Sequence, residues 1–104
     1  MERARVLFLS SSPFGIPSLV ALLRDPRYQV VGLITQPDKP AGRGLRVAPS
    51  TIKRVALAEG VPVLQPRDLR APEAITQASE LRPDVIVVAA YGQWIPAGVY
   101  EMPP

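Results

Sequence analysis

Apolar residues in this chain fall into short unbroken runs, and between those runs they recur at helical spacing. Val6-Leu7-Phe8-Leu9 is one such run, ended by Ser10-Ser11-Ser12-Pro13, the pattern of a buried strand followed by a turn. Ile16, Leu19, Val20, Leu22 and Leu23 then recur with a helical period until Asp25-Pro26 stops it, and Pro17 suits a first helical turn. Val30-Val31-Gly32-Leu33-Ile34 predicts a second strand. Residues 51–59 predict a helix entered through Pro49-Ser50 and closed by Gly60. Residues 61–64 predict a third strand.

After an irregular connection over 65–72, residues 73–81 predict a third helix with Ile75, Ala78 and Leu81 inward. Val85-Ile86-Val87-Val88-Ala89-Ala90 is apolar at every position, as expected of a fourth strand with helices on both faces of a parallel sheet. Strands alternating with helices imply an α/β fold: a Rossmann-like parallel sheet with right-handed crossovers and helices on both faces. The prolines punctuate element boundaries, and neither a repeat nor a second domain interrupts the pattern.

Composition agrees with one small domain: 104 residues, 47% hydrophobic and 20% charged. With no cysteine there is neither a disulfide framework nor a thiolate metal site, and with no histidine the usual zinc and copper ligand sets cannot be assembled. The missing histidine also removes the commonest proton-transfer side chain. No apolar run approaches the roughly 20 residues of a membrane span, and Met1-Glu2-Arg3-Ala4-Arg5 leads into a strand rather than a signal segment. A soluble, cytoplasmic protein without a metal is the expectation.

Charge changes the picture more. The net charge is +3, but between Gln36 and Arg54 stand five cations, Lys39, Arg43, Arg46, Lys53 and Arg54, against the single carboxylate Asp38. Such a window fits a solvated basic loop or a surface that contacts phosphate. Gly42 and Gly44 flank Arg43, which leaves a guanidinium clear of neighbouring side chains, while Pro37 and Pro40 stiffen the base of the loop. The turn after the first strand carries one late glycine, Gly15, so it lacks the glycine-rich approach that a nicotinamide or flavin dinucleotide requires. Its serines fit phosphate contact or ordinary turn and capping chemistry.

The segment from Gln36 to Gly44 resembles the basic loop of the methionyl-tRNA formyltransferases. Phe8 to Phe14 leading into Pro17-Ser18-Leu19, Pro49-Ser50 with Ile52-Lys53, Gly60 to Pro66, and Pro83 to Gln93 before Ile95-Pro96 resemble that family in the same order. The resemblance implies a formyltransferase sheet with strand order 3-2-1-4, and transfer of a formyl group from 10-formyltetrahydrofolate to the amino group of methionine on initiator tRNA. It makes Arg43 the leading contact to the tRNA acceptor end, supported by Lys39, Arg46 and Lys53. It also places the folate pterin against Tyr91, Gln93, Trp94 and Ile95, through backbone groups and apolar contact.

The family's asparagine, histidine and aspartate, and its Ser-Leu-Leu-Pro folate loop, have no counterpart in these residues. The resemblance therefore implies that 1–104 is the amino-terminal portion of one formyltransferase domain, with no catalytic residue of its own and no activity alone. A monomeric full-length enzyme is implied, and for this piece self-association through the bare apolar edge of strand 85–90, which a monomer in light scattering would contradict. The family's Gly-Thr-Pro and acidic residue are replaced by Ser10-Ser11-Ser12-Pro13, which leaves the role of that turn open. Two rival readings stand beside this one. A folate-dependent formyltransferase for a nucleotide precursor or amino sugar would have no need of the basic loop, and a non-catalytic RNA-binding module would want more aromatics than the six present.

Overall fold

Why Val6 to Leu9 of the first strand are all apolar is answered by their position: the strand is flanked by strands on both edges and covered by helices on both faces. The computed structural model describes residues 3–41 and 46–103. Strand β1 (Ala4–Leu9) pairs in parallel with β2 (Tyr28–Ile34), with Val6 opposite Val30 and Leu9 opposite Ile34. On its other edge β1 pairs in parallel with a later strand, Val85–Val88, where Val6 faces Val85 and Leu9 faces Val88. A two-residue strand, Val63–Leu64, extends the sheet beyond β2.

Between β2 and that short strand the chain forms two further strands, β3 (Lys39–Ala41) and β4 (Arg46–Ala48), so the remaining pair are β5 (Val63–Leu64) and β6 (Val85–Val88). The main sheet is ordered β5-β2-β1-β6, all parallel, which is the anticipated 3-2-1-4 counted over those four strands.

Successive β1 side chains point to opposite faces and seed two cores. Phe8 packs with Leu19, Leu33, Ile52 and Ala56 beneath α1 (Ile16–Arg24) and α2 (Thr51–Ala58). Leu7 and Leu9 pack with Ile34, Leu69, Ala78 and Val99 beneath α3 (Pro72–Glu80) and α4 (Ala97–Tyr100). Val6, Leu7, Phe8 and Leu9 are fully buried, and at roughly 1.5–3 kcal/mol for each such side chain they anchor both layers.

Helix α2 begins where Ser50 Oγ accepts from Lys53 N at 3.3 Å. It ends on Gly60, whose φ of 71° permits the closing bond from Val61 N to the Ala56 carbonyl. The expected entry and exit of this helix are both present.

Four expectations need adjusting. The third strand is shorter than 61–64, because only Val63 and Leu64 reach a partner on β2. The fourth stops at Val88 rather than residue 90, since Ala90 takes a left-handed φ of 56° and turns the chain out of the sheet. That strand is also less covered than its sequence implies: Val85 is 41% and Val88 49% exposed, because among the described residues β6 pairs only with β1. The irregular basic loop is in fact entered and left by β3 and β4, an antiparallel pair with Pro40 opposite Val47. A proline is tolerated there because a two-stranded ribbon leaves backbone groups unpaired. Helix α4, four residues long, was too short to show a period.

Candidate functional site

In an open parallel sheet the crevice lies beyond the carboxyl ends of the strands, where the strand order reverses. Here that point falls between β1 and β6, and a cavity of about 570 Å³ lies there. Its walls come from the ends of β1 (Ser11), β2 (Thr35, Gln36) and β6 (Tyr91), and from the start of α2 (Ser50, Arg54).

Polar residues just past the strand ends tie this rim together. Ser11 Oγ accepts from Gln36 N at 2.9 Å and from Thr35 Oγ1 at 3.3 Å. Gln36 Nε2 donates to the Tyr91 carbonyl at 3.0 Å, so the end of β2 is fastened to the turn after β6. A Cβ on Gly92 would lie 2.3 Å from Gln36 Nε2, and Gly92 has a φ of 95°, so glycine suits that turn on both counts. Gln65 Nε2 donates to the Gln36 carbonyl at 3.2 Å and to Asp38 Oδ1 at 2.8 Å, while Lys53 Nζ donates to Asp38 Oδ2 at 2.8 Å. The root of the β3–β4 hairpin is thereby bound to β1, β5, α2 and the turn after β6.

The Lys53 ammonium beside it, and then Gln65, hold the Asp38 carboxyl below the usual carboxylate range. Lys53 itself is largely enclosed, with 16% of its side chain exposed, and its charge is directed at Asp38. The other expected tRNA contacts are placed only in part: Lys39 starts β3 and Arg46 starts β4, whereas Arg43, with Gly42, Gly44 and Leu45, lies outside the described residues.

The four residues expected at folate divide by environment. Tyr91 is 2% exposed in the core beneath α3 and α4, and its hydroxyl has no hydrogen-bond partner among the described residues. Burial pushes that phenol up to about 12. Ile95 packs against the same core. Gln93 braces the 66–69 loop, its Oε1 accepting from Leu69 N at 3.2 Å and its Nε2 donating to the Pro66 carbonyl at 3.3 Å. Trp94 alone faces outward, 80% exposed, beside a hollow of about 470 Å³ that Arg67 and the ion pair Arg70–Asp68 also line.

The serine turn acts locally. Ser12 Oγ accepts from Phe14 N at 3.1 Å and caps the 3-10 turn Pro13–Gly15, Ser10 is fully buried, and Ser11 N donates to the Ala90 carbonyl at 3.1 Å. Sequence reasoning overlooked Ser11, Gln36, Asp38 and Gln65 as a connected group. The available signal was the polar stretch within four residues after each of the first three predicted apolar runs: Ser10-Ser11, Thr35-Gln36 with Asp38, and Gln65. Among the described residues no group of three or more His, Cys, Asp or Glu is placed to hold a metal ion, and no helix is long and apolar enough to cross a membrane.

Comparison with known proteins returns close relatives. The chain is 50% identical over 100 residues to a methionyl-tRNA formyltransferase of Roseiflexus sp. (strain RS-1), covering 96% of this chain and 31% of that protein. It is 51% identical over 100 residues to the methionyl-tRNA formyltransferase of Symbiobacterium thermophilum, covering 96% and 30%. With the methionyl-tRNA formyltransferase of Pseudomonas savastanoi pv. phaseolicola it shares 46% identity over 102 residues, 98% of this chain and 32% of that one. The chain thus spans about a third of the length of these relatives. Residues 4–104 match the formyl transferase family, nearly the whole of the chain, and the chain belongs to that family.

Proposed function

We propose that residues 1–104 are the amino-terminal portion of the formyltransferase domain of an enzyme that moves a formyl group from 10-formyltetrahydrofolate to the amino group of methionyl initiator tRNA. The observation that carries this reading is a cation-rich hairpin rooted on the rim of a cavity at the sheet's switch point. Relatives bearing the name methionyl-tRNA formyltransferase, at about half identity across that hairpin and sheet, support the choice of acceptor.

In this reading Arg43, Lys39 and Arg46 meet phosphates of the acceptor end, and a guanidinium forks onto phosphate where an ammonium supplies a point charge. Lys53 acts on the tRNA through the hairpin root, which it holds by way of Asp38. The folate-derived donor lies along the 91–95 turn. The exposed ring of Trp94 fits a flat heteroaromatic ligand, and because Asp68 pairs with Arg70 in the wall of that hollow, Arg67 is the guanidinium there left to meet a ligand carboxylate. Tyr91, Gln93 and Ile95 act there through backbone position, since their side chains are engaged in the core and in the 66–69 loop.

A base for the attacking amine and a donor for the developing oxyanion are needed for acyl transfer. With no histidine, this chain is read as supplying binding surfaces rather than proton transfer. The test is a formylation assay. A full-length enzyme beginning with this sequence should formylate methionyl-tRNA from 10-formyltetrahydrofolate, and the 104-residue chain alone should not. Transfer to a nucleotide precursor or an amino sugar in place of methionyl-tRNA would overturn the acceptor.

A further inference from the structure

Lys53 and Arg54 are adjacent cations that a sequence cannot tell apart, yet they sit about 100° apart around α2. Lys53 turns toward the hairpin root and meets Asp38 at 2.8 Å. Arg54 turns to the cavity at the strand ends, whose wall it forms, and is solvent-exposed. Among the described residues the charged side chains lining this cavity are Asp38 and Arg54. The Asp38 carboxylate is already met by the Lys53 ammonium and by Gln65, so it offers little repulsion to an incoming anion. Arg54 has no carboxylate partner among the described ion pairs. The cavity wall therefore presents a net positive charge through one guanidinium.

We propose that Arg54 is a further substrate-binding residue: its guanidinium contacts a phosphate of the single-stranded 3′ end of the tRNA where that end passes from the hairpin into the cavity. This rests on the tRNA reading above. The hairpin root (Pro37, Asp38, Ala48), Arg54 and the turn after β6 (Tyr91, Gly92) line the same cavity, so a strand led in by the hairpin shares its walls with this guanidinium and with the turn assigned to the formyl donor. Carboxylates of the folate are the competing anion, and the experiment separates the two.

Full-length enzyme is compared with its Arg54→Ala, Arg54→Lys and Lys53→Ala variants. Binding of methionyl initiator tRNA is measured by filter retention over a series of salt concentrations, and KM for 10-formyltetrahydrofolate is measured separately. Arg54→Ala should weaken tRNA binding about tenfold, the scale of one charge-assisted contact. It should also flatten the dependence of log K on log salt by about one unit, with the folate KM unchanged. Arg54→Lys should restore the salt slope because the charge returns. Lys53→Ala should weaken binding with a smaller change in slope, since its charge is directed at Asp38. An Arg54→Ala enzyme with unchanged tRNA affinity and slope, or one whose folate KM rises instead, overturns the proposal while leaving the tRNA reading intact. A wild-type enzyme that retains no tRNA removes both.

Discussion

Two regions of this molecule are built on different physics. The sheet is held by apolar burial: Leu7, Phe8, Leu9, Leu33 and Ile34 are fully buried between two helical layers, and burial of that kind has no direction and little sensitivity to salt or pH. The hairpin root is held by a few directional bonds from Ser11, Gln36, Gln65 and Lys53, in which a carboxylate and an ammonium take part. Burial makes a platform stable. Directional bonds fix the root of the hairpin in place, and they respond to the solution around them.

Tyr91 belongs to both regions, because its ring lies in the core while its carbonyl receives Gln36. A change in the sheet should therefore appear in stability, and a change in the root should appear in substrate binding.

The largest effect is expected from Phe8→Ala. It removes a fully buried ring from the core beneath α1 and α2 and should cost about 3–5 kcal/mol in denaturant unfolding. A cost under about 1 kcal/mol would mean that this core does not carry the fold.

Asp38→Asn addresses the root. It should leave the thermal midpoint within about 2 °C of wild type, and in the full-length enzyme raise KM for tRNA roughly two- to fivefold. Because the Asp38 carboxyl is held below its ordinary range by Lys53 and Gln65, its contribution is fully present above the unfolded value of about 3.9 and is lost only as pH falls through the lower folded value. Salt titrations of tRNA binding at pH 5 and pH 7 should thus show no change from this group. A large loss of hairpin-dependent binding at pH 5 would contradict the described root.

The smallest effect is expected from Tyr91→Phe. Removing a buried hydroxyl with no partner should raise stability by up to about 1 kcal/mol. The unfolded phenol ionises near 10 whereas the folded one keeps its proton until about 12, so wild-type stability should fall as pH rises above 10. That part of the fall should be absent from the phenylalanine variant in alkaline melts.

The strand runs were legible because residues 6–9 of β1, 30–34 of β2 and 85–88 of β6 are apolar at successive positions, a pattern that needs no neighbour to interpret. The hairpin was not. Lys39-Pro40-Ala41 and Arg46-Val47-Ala48 are three residues each, too short for a period, and a proline in the first argues against a strand on its own terms. The root escaped notice for a different reason. Ser11, Gln36 and Gln65 look like turn residues one at a time, and only the parallel topology brings the strand ends side by side. The resemblance named Lys53 and not Arg54 as a tRNA contact, whereas the helix turns Lys53 to Asp38 and Arg54 to the cavity.

The account turns on the cations of the hairpin gripping the acceptor end of the tRNA. The most direct measurement is kcat/KM for methionyl-tRNA in the full-length enzyme and its Arg43→Ala variant across several salt concentrations. The account predicts a loss of about 1–3 kcal/mol in transition-state stabilisation and a salt slope smaller by about one unit. Equal kcat/KM and equal slopes for the two enzymes would contradict it.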